Sequence, residues 1–437
     1  MKYLYLNNFR GFTDELIELK DVNFLVGENS TGKTSIIGIL NILSEPDLWL
    51  SQKFQSKSIN LGNYKDIVSA NTSDKSFFEV GLFEKIDTKS KDSKLFCVFL
   101  KFIDKDGTPI INKINFFSKN VEILVKFSAK QTRIKVNENK NIFLLDDFFN
   151  QIFQNWKSDD VEIFKGSTIL KGQFPSFFPL IFFSKFLDAE FLKTRSDKSG
   201  TITFSDNFVP EFFGNLQSHA PIRSKPKRTY DEYVHEFTSE GEHTPFIIKK
   251  IFDERKGLKV FIEKIKKFGK ESGLFETINI KQFGEDKISP FELDIVLNQK
   301  DLNISNVGYG VSQILPVLVD VILHRPSSWN AIQQPEVHLH PKAQAALGDL
   351  FYELADKENK KFLIETHSDY IIDRFRMSLK KKKTKNKPKA QILFFERTKK
   401  GNKIHPIEIK ENGDVSDKQP KAYRDFFVRE NMKLLGF

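Results

Sequence analysis

The chain has 437 residues, enough for two or three domains or for one large domain carrying an insertion. A 39% hydrophobic and 29% charged composition supports a sizeable core and excludes general disorder. The single cysteine, Cys97, excludes an internal disulfide framework and a Cys-rich zinc site, and fits a reducing cytosol. The formal charge of +10 is concentrated: Leu379 to Lys410 holds 12 Lys+Arg against 2 Glu, a net of +10.

In chain order, Tyr3, Tyr5 and Ile17-Glu18-Leu19 predict short strands, and Asn23-Phe24-Leu25-Val26 a buried one. A Gly-rich loop follows, and then a mostly apolar helix from Ser35 to Leu43 that stops near Pro46. No apolar leader opens the chain. The longest apolar stretch, Ile314–Leu323, is interrupted by Asp320 and too short to span a bilayer, so a cytoplasmic, non-membrane protein is expected.

Residues 87–220 hold 22 of the 45 Phe, with pairs at Phe116-Phe117, Phe148-Phe149, Phe177-Phe178, Phe182-Phe183 and Phe212-Phe213 but no fixed period. A core that uses Phe where other proteins use Leu is the expectation, with an aromatic surface that stacks bases as the alternative. Residues 247–270 read as amphipathic helix interrupted at Gly257. Beyond residue 300, helices are expected over Gln344–Leu354 and Tyr370–Leu379, and strands over Phe362–Ile364 and Ala390–Phe395. No sustained heptads predict a coiled-coil arm.

Gly27-Glu28-Asn29-Ser30-Thr31-Gly32-Lys33-Thr34 fits G-x-x-x-x-G-K-[ST] without a mismatch, between an expected strand and an expected helix. In such a loop the glycines turn backbone N–H groups toward phosphate oxygens, and the helix N-terminus adds its positive end. Lys33 would reach the β- and γ-phosphates of ATP, and the Thr34 hydroxyl would hold Mg²⁺. Asn306-Val307-Gly308-Tyr309-Gly310-Val311-Ser312-Gln313 is a second Gly/Ser turn opening an apolar helix. Ile332-Gln333-Gln334-Pro335-Glu336-Val337-His338-Leu339-His340-Pro341 follows, and Phe362 to Ser368 places His367 at a strand end.

This order of motifs, with Asn8-Phe9-Arg10-Gly11-Phe12 at the start, resembles the soluble ABC-type ATPases that include SMC, RecF-like and OLD-like proteins. Within that branch the wording is similar to the AAA-family ATPases of bacterial antiphage defence operons, such as the ATPase subunit of Septu-type systems. The resemblance covers residues 1–85 and 300–375. It implies an α/β P-loop NTPase: an ABC-type ATPase head formed from N- and C-terminal segments, with a Phe-rich insertion. The implied division is 1–86 (Walker A), 87–220 (insertion), 221–300 (helical connection) and 301–437 (signature, Walker B, switch histidine).

Residue by residue, the resemblance makes Gly27–Thr34 Walker A and brings Arg10 beside the nucleotide. Asn306–Gln313 becomes a degenerate signature in which Gly308, Gly310 and Ser312 face the γ-phosphate of the other subunit. His367 becomes the switch histidine. Leu61 to Asp66 falls where the branch places its Q-loop, without the expected Gln. His338 and His340 read as structural or D-loop residues, since no third metal ligand is evident. Two ATP would close a homodimer with head-to-tail contacts, and hydrolysis would release it.

Walker B departs from the family wording, which has Glu first. Gln333 and Gln334 occupy the places of the Mg²⁺-binding and water-polarising carboxylates. An amide keeps the shape but has neither the charge nor the basicity. Glu336 is the nearby carboxylate in this segment. Two explanations stand: a Glu→Gln replacement at position 333 that traps ATP, favoured because one change restores the wording, or a natural nucleotide-gated switch with weak hydrolysis.

Lys380, Lys381, Lys382, Lys383 and Lys385 form a run that reads as a solvated loop or as a phosphate-contacting patch for DNA or RNA. Arg223, Lys225, Lys227 and Arg228 make a smaller cluster. The function the resemblance implies is an ATPase subunit that controls a partner effector, expected to be a nuclease. The alternative is a RecF/SMC-like DNA-repair or clamp ATPase without an effector. A self-contained OLD-type nuclease is not expected, because Glu411, Asp414 and Asp417 do not make the Toprim domain it needs.

Overall fold

The computed structural model describes residues 2–45, 48, 52–56, 59–86, 94–118, 121–138, 153–158, 160–171, 216–232, 234, 236–381, 387–417 and 419–425. It divides into two units. The first comprises Met1–Leu19, Gly38–Gly214 and Arg397–Ile404; the second comprises Lys20–Ile37, Asn215–Glu396 and His405–Phe437.

The first unit is built on an antiparallel sheet in the order β2-β1-β4-β5-β6-β7-β8-β9. Its strands are β1 Lys2–Asn7, β2 Glu15–Leu19, β4 Phe77–Ile86, β5 Lys94–Lys105, β6 Thr108–Ser118, β7 Val121–Phe127, β8 Gln131–Glu138 and β9 Thr168–Lys171. Alternation decides the faces. Tyr5, Phe83, Cys97, Phe99, Phe117 and Trp156 bury on one side, where Phe99 stacks on Trp156 at 5.5 Å. Phe78 and Phe102 stack at 4.9 Å, with Phe54 edge-on to Phe102 at 4.9 Å. Among the described residues, then, Phe99, Phe102, Phe116 and Phe117 serve as core. The pairs at Phe148-Phe149, Phe177-Phe178, Phe182-Phe183 and Phe212-Phe213 lie outside the described residues.

The second unit holds a six-stranded sheet ordered β10-β14-β15-β3-β16-β17. These strands are β3 Val22–Gly27, β10 Leu216–His219, β14 Trp329–Gln333, β15 Lys361–Glu365, β16 Ala390–Thr398 and β17 Gly401–Ile409. β10, β14, β15, β3 and β16 run parallel. Such strands are covered on both faces, and β3 and β14 are accordingly buried along their whole length. β3 lies between β15 and β16, so N- and C-terminal segments close one sheet, as the fold class requires.

The helices are α1 Lys33–Ser44, α2 Thr244–Glu254, α3 Leu258–Ser272, α4 Tyr309–Leu323, α5 Pro341–Glu358 and α6 Asp369–Lys381. Gly257, at φ 74, separates α2 from α3, where the sequence places the interruption. α4 is buried from Val311 to Ile322, and α2, α3, α4, α5 and α6 share one apolar core with the sheet. A small antiparallel sheet, β11 Thr277–Gln282, β12 Phe291–Leu297 and β13 Lys300–Asn303, precedes α4. Among the described residues no helix is long and apolar enough to cross a membrane.

Candidate nucleotide site

Parallel α/β sheets bind ligands beyond the carboxyl ends of their strands. Here the carboxyl ends of β3, β15 and β14 carry Gly27, Glu365 and Gln333. Gly27 has φ +148, and a Cβ there would lie 2.4 Å from the Phe395 carbonyl on β16, so only glycine lets the loop leave the sheet at this point. Thr31 Oγ1 donates to the Glu28 carbonyl at 2.7 Å and closes the loop on itself. α1 then starts at Lys33 with its unpaired N–H groups toward the loop.

Lys33 is 3% exposed and its Nζ donates to the carbonyls of Gly27 at 2.9 Å and Glu28 at 2.7 Å. Burial lowers its pKa, and the carboxylates of Glu365 and Glu28 pull it back up. Thr34 Oγ1 donates to the Glu365 carboxylate, 3.0 Å from one oxygen and 3.2 Å from the other. Burial raises the pKa of Glu365, against the Thr34 hydrogen bond and the Lys33 charge; Glu336 adds to the rise.

Glu365 is the residue that sequence reasoning passed over. It stands two positions before His367 and pairs in register with Gln333 on β14. The Gln334 backbone N donates to the Glu365 carbonyl at 2.8 Å, and Gln334 itself has φ 43. Glu336 is engaged elsewhere: its carboxylate accepts from Thr366 Oγ1 at 2.8 Å and from the His367 backbone N at 2.7 Å. It thereby ties the turn after β14 to the turn after β15. The His367 side chain is exposed, and its pKa is lowered by burial of part of the ring and by Lys33, against Glu336. His340 caps α5, its Nδ1 accepting from Ala343 N at 3.3 Å, and the His338 ring lies edge-on to Tyr309 at 4.8 Å.

The second Gly/Ser turn opens α4. Gly308 precedes the helix with open space where a Cβ would be, whereas a Cβ on Gly310 would meet the His338 carbonyl at 2.5 Å. Ser312 is 5% exposed and its hydroxyl donates back to the Tyr309 carbonyl at 2.9 Å. The next residue, Gln313, takes the backbone N of Arg223 on its Oε1 at 3.3 Å.

Arg223 falls outside the surface cluster expected from sequence. It is 3% exposed, and its Nη2 donates to the Gln333 carbonyl at 3.1 Å. Its Nε and Nη1 have no protein partner. Burial pushes its pKa down to about 10, with Glu336 pulling upward. Nearby, Asp320 of α4 meets His243 Nε2 at 3.1 Å and His219 Nδ1 at 3.6 Å, a fully buried His-Asp-His group. No sequence pattern announced either arrangement, because β10, α2 and α4 are far apart in the chain.

Arg10 belongs to the first unit, where its Nη2 donates to the Leu61 carbonyl at 2.7 Å. Lys380 and Lys381 end α6, exposed and favourably placed against the helix dipole. Lys382, Lys383 and Lys385 lie outside the described residues.

The donor set suits Mg²⁺. That ion prefers hard oxygen ligands and usually takes one or two from protein, with phosphates and water supplying the rest. The hydroxyl of Thr34 against a buried carboxylate fits this. Among the described residues no cluster of three or more His, Cys, Asp or Glu could form an all-protein cage, and such a site does not need one. A phosphate loop on the second-to-last inner strand of a parallel sheet, with Gly27, Gln333 and Glu365 at the strand ends, defines a P-loop ATPase of ABC-type fold. The family described as AAA ATPase domain matches residues 1–372, and the chain belongs to it.

No curated protein matches the chain. It is similar to the SMC head domain from Thermotoga maritima, at 13% identity and a TM-score of 0.42 over 93% of this chain and 98% of that one. It is also similar to the Smc head domain with an extended coiled coil, bound to the C-terminal domain of ScpA, from Pyrococcus furiosus. That match has 11% identity and a TM-score of 0.42 over 100% of this chain and 99% of the other.

Proposed function

We propose that this ATPase binds Mg²⁺-ATP at Gly27–Thr34, pairs with a second copy through the signature turn, and thereby controls a partner effector, a nuclease, in antiphage defence. The observation that carries the nucleotide reading is the junction of Lys33, Thr34 and Glu365 at the ends of β3 and β15. Lys33 now spends its charge on two loop carbonyls, and a triphosphate offers that ammonium a better acceptor. The Thr34 hydroxyl offers oxygen to the metal. Bound Mg²⁺ would supply charge neutralisation at the phosphates. Glu336 holds the His367 backbone, so the exposed imidazole stands on a fixed turn.

The dimer supports a simple economy of parts. The signature turn, with exposed Tyr309 and an open Gly308, offers backbone N–H groups at a helix start but no lysine of its own. A second copy's phosphate-loaded P-loop would complete it. The effector and the defence role follow from the resemblance of the motifs alone.

Two measurements test this reading. Binding of a fluorescent ATP analogue should be lost in Lys33→Ala; unchanged binding would remove the P-loop assignment. Purification of the chain with its neighbouring gene products, followed by mass spectrometry, should return a nuclease. A replication or repair assembly instead would favour the clamp alternative.

A further inference from the structure

We infer that Glu365, on the strand beside Walker B, supplies the carboxylate that holds Mg²⁺ together with Thr34 when ATP is bound. This deepens the nucleotide reading above and rests on it. The motif places the metal on the Thr34 hydroxyl. The residue already bonded to that hydroxyl is Glu365, through both carboxylate oxygens at 3.0 and 3.2 Å. The segment that ordinarily provides the acid has Gln333 and Gln334, whose amides bring no negative charge.

Glu336 does not fill the place. Its two oxygens are committed to Thr366 and to the His367 backbone. Glu365 does, and sheet geometry says why. Gln333 and Glu365 are register partners on parallel strands, so their side chains stand side by side about 4.8 Å apart on the same face. β15 lies between β14 and β3. A carboxylate at 365 is therefore one strand closer to the phosphate loop than one at 333. The charge is moved sideways within the sheet rather than lost. The sequence then satisfies the metal without an acid at 333.

A plainer role is that Glu365 only balances the charge of Lys33. The two roles separate by metal dependence. As a counter-charge alone, Glu365 affects ATP binding equally with and without metal. As a metal-holding group, it affects only the metal-dependent part.

The test uses the full chain with Mn²⁺ as probe, read by electron paramagnetic resonance in the presence of ATP, beside ATP-analogue binding in EDTA. Glu365→Gln should weaken Mn²⁺ retention roughly 10- to 100-fold while binding in EDTA stays within about twofold. Adding Gln333→Glu to Glu365→Gln should restore much of the loss. Glu365→Asp keeps the charge on a shorter arm and should show a smaller, several-fold loss, which serves if Glu365→Gln does not fold. Mn²⁺ retention equal to the unmodified chain in Glu365→Gln, or in Glu365→Asp where that is the variant that folds, overturns the inference. So does an equal loss with and without metal. An unmodified chain that binds no ATP in EDTA or with Mn²⁺ overturns the nucleotide reading itself, a different result from the others.

Discussion

Replacing Arg223 with Met separates stability from function at a buried charge. Arg223 makes one side-chain hydrogen bond, to the Gln333 carbonyl at 3.1 Å, and buries Nε and Nη1 without protein partners. A hydrogen bond from a charged group contributes about 1.5–3 kcal/mol, and each buried unpaired donor costs about 1–3 kcal/mol. Met keeps most of the volume and removes all three terms. The folded state should therefore change by between about zero and about 3 kcal/mol in the variant's favour. Nucleotide affinity should move the other way. From the end of β14 to the end of β3 is two strand spacings, about 10 Å. At an effective dielectric of about 20, losing one positive charge at that distance costs about 1.7 kcal/mol per unit of phosphate charge, roughly 17-fold in affinity. Thermal melts without nucleotide, and titration of a fluorescent ATP analogue with Mg²⁺, read the two quantities. A variant destabilised by several kcal/mol with unchanged ATP affinity would instead make Arg223 a purely structural residue.

Other outcomes follow from the same geometry. The chain should bind ATP and dimerise with little turnover, whereas Gln333→Glu should hydrolyse ATP measurably; equal phosphate release from both would contradict the role given to position 333. Gly310→Ala should cost about 1–3 kcal/mol in a chemical melt, because its Cβ would lie 2.5 Å from the His338 carbonyl. Gly308→Ala, with nothing within 4 Å, should stay within about 0.5 kcal/mol and serve as its control. His219 is pushed down to about 3, first by burial and then by Arg223, His243 and His324. Between that value and its ordinary one the unfolded state takes up a proton that the folded state refuses, so the stability it contributes is lost as pH falls. Asp320, raised by burial, holds its proton more tightly when folded and opposes this at the acid end. Compared with His219→Gln, the unmodified chain should lose stability by up to about tenfold in the unfolding constant per pH unit below about 6. Parallel pH profiles would contradict this.

Much of the site was legible because it is local. Gly27 to Thr34 is one uninterrupted string, and its strand and helix adjoin it, so the loop could be read before any fold was known. Gly257 marked the break between α2 and α3 for the same reason: it is local, with left-handed Arg255 (φ 56) ending α2 and Gly257 (φ 74) opening α3. Glu365 was not legible as a partner of Thr34, since 331 residues separate them and only the insertion of β15 beside β3 brings them together. Arg223 looked like one of four surface cations by composition. Its burial depends on where β10 joins the sheet, next to β14, and composition carries no information about that. The Phe excess was readable as core only where strands alternate, as at Phe99, Phe102 and Phe117.

On the proposed function, ATP at this P-loop joins two copies of the chain. Sedimentation velocity of the purified protein, with Mg²⁺-ATP, with Mg²⁺-ADP and without nucleotide, tests it directly. Pairing on ATP should give twice the 50.7 kDa chain mass with ATP, a single chain mass otherwise, and no response to ATP in Lys33→Ala. A mass that ATP leaves unchanged, or that rises equally in Lys33→Ala, would contradict it.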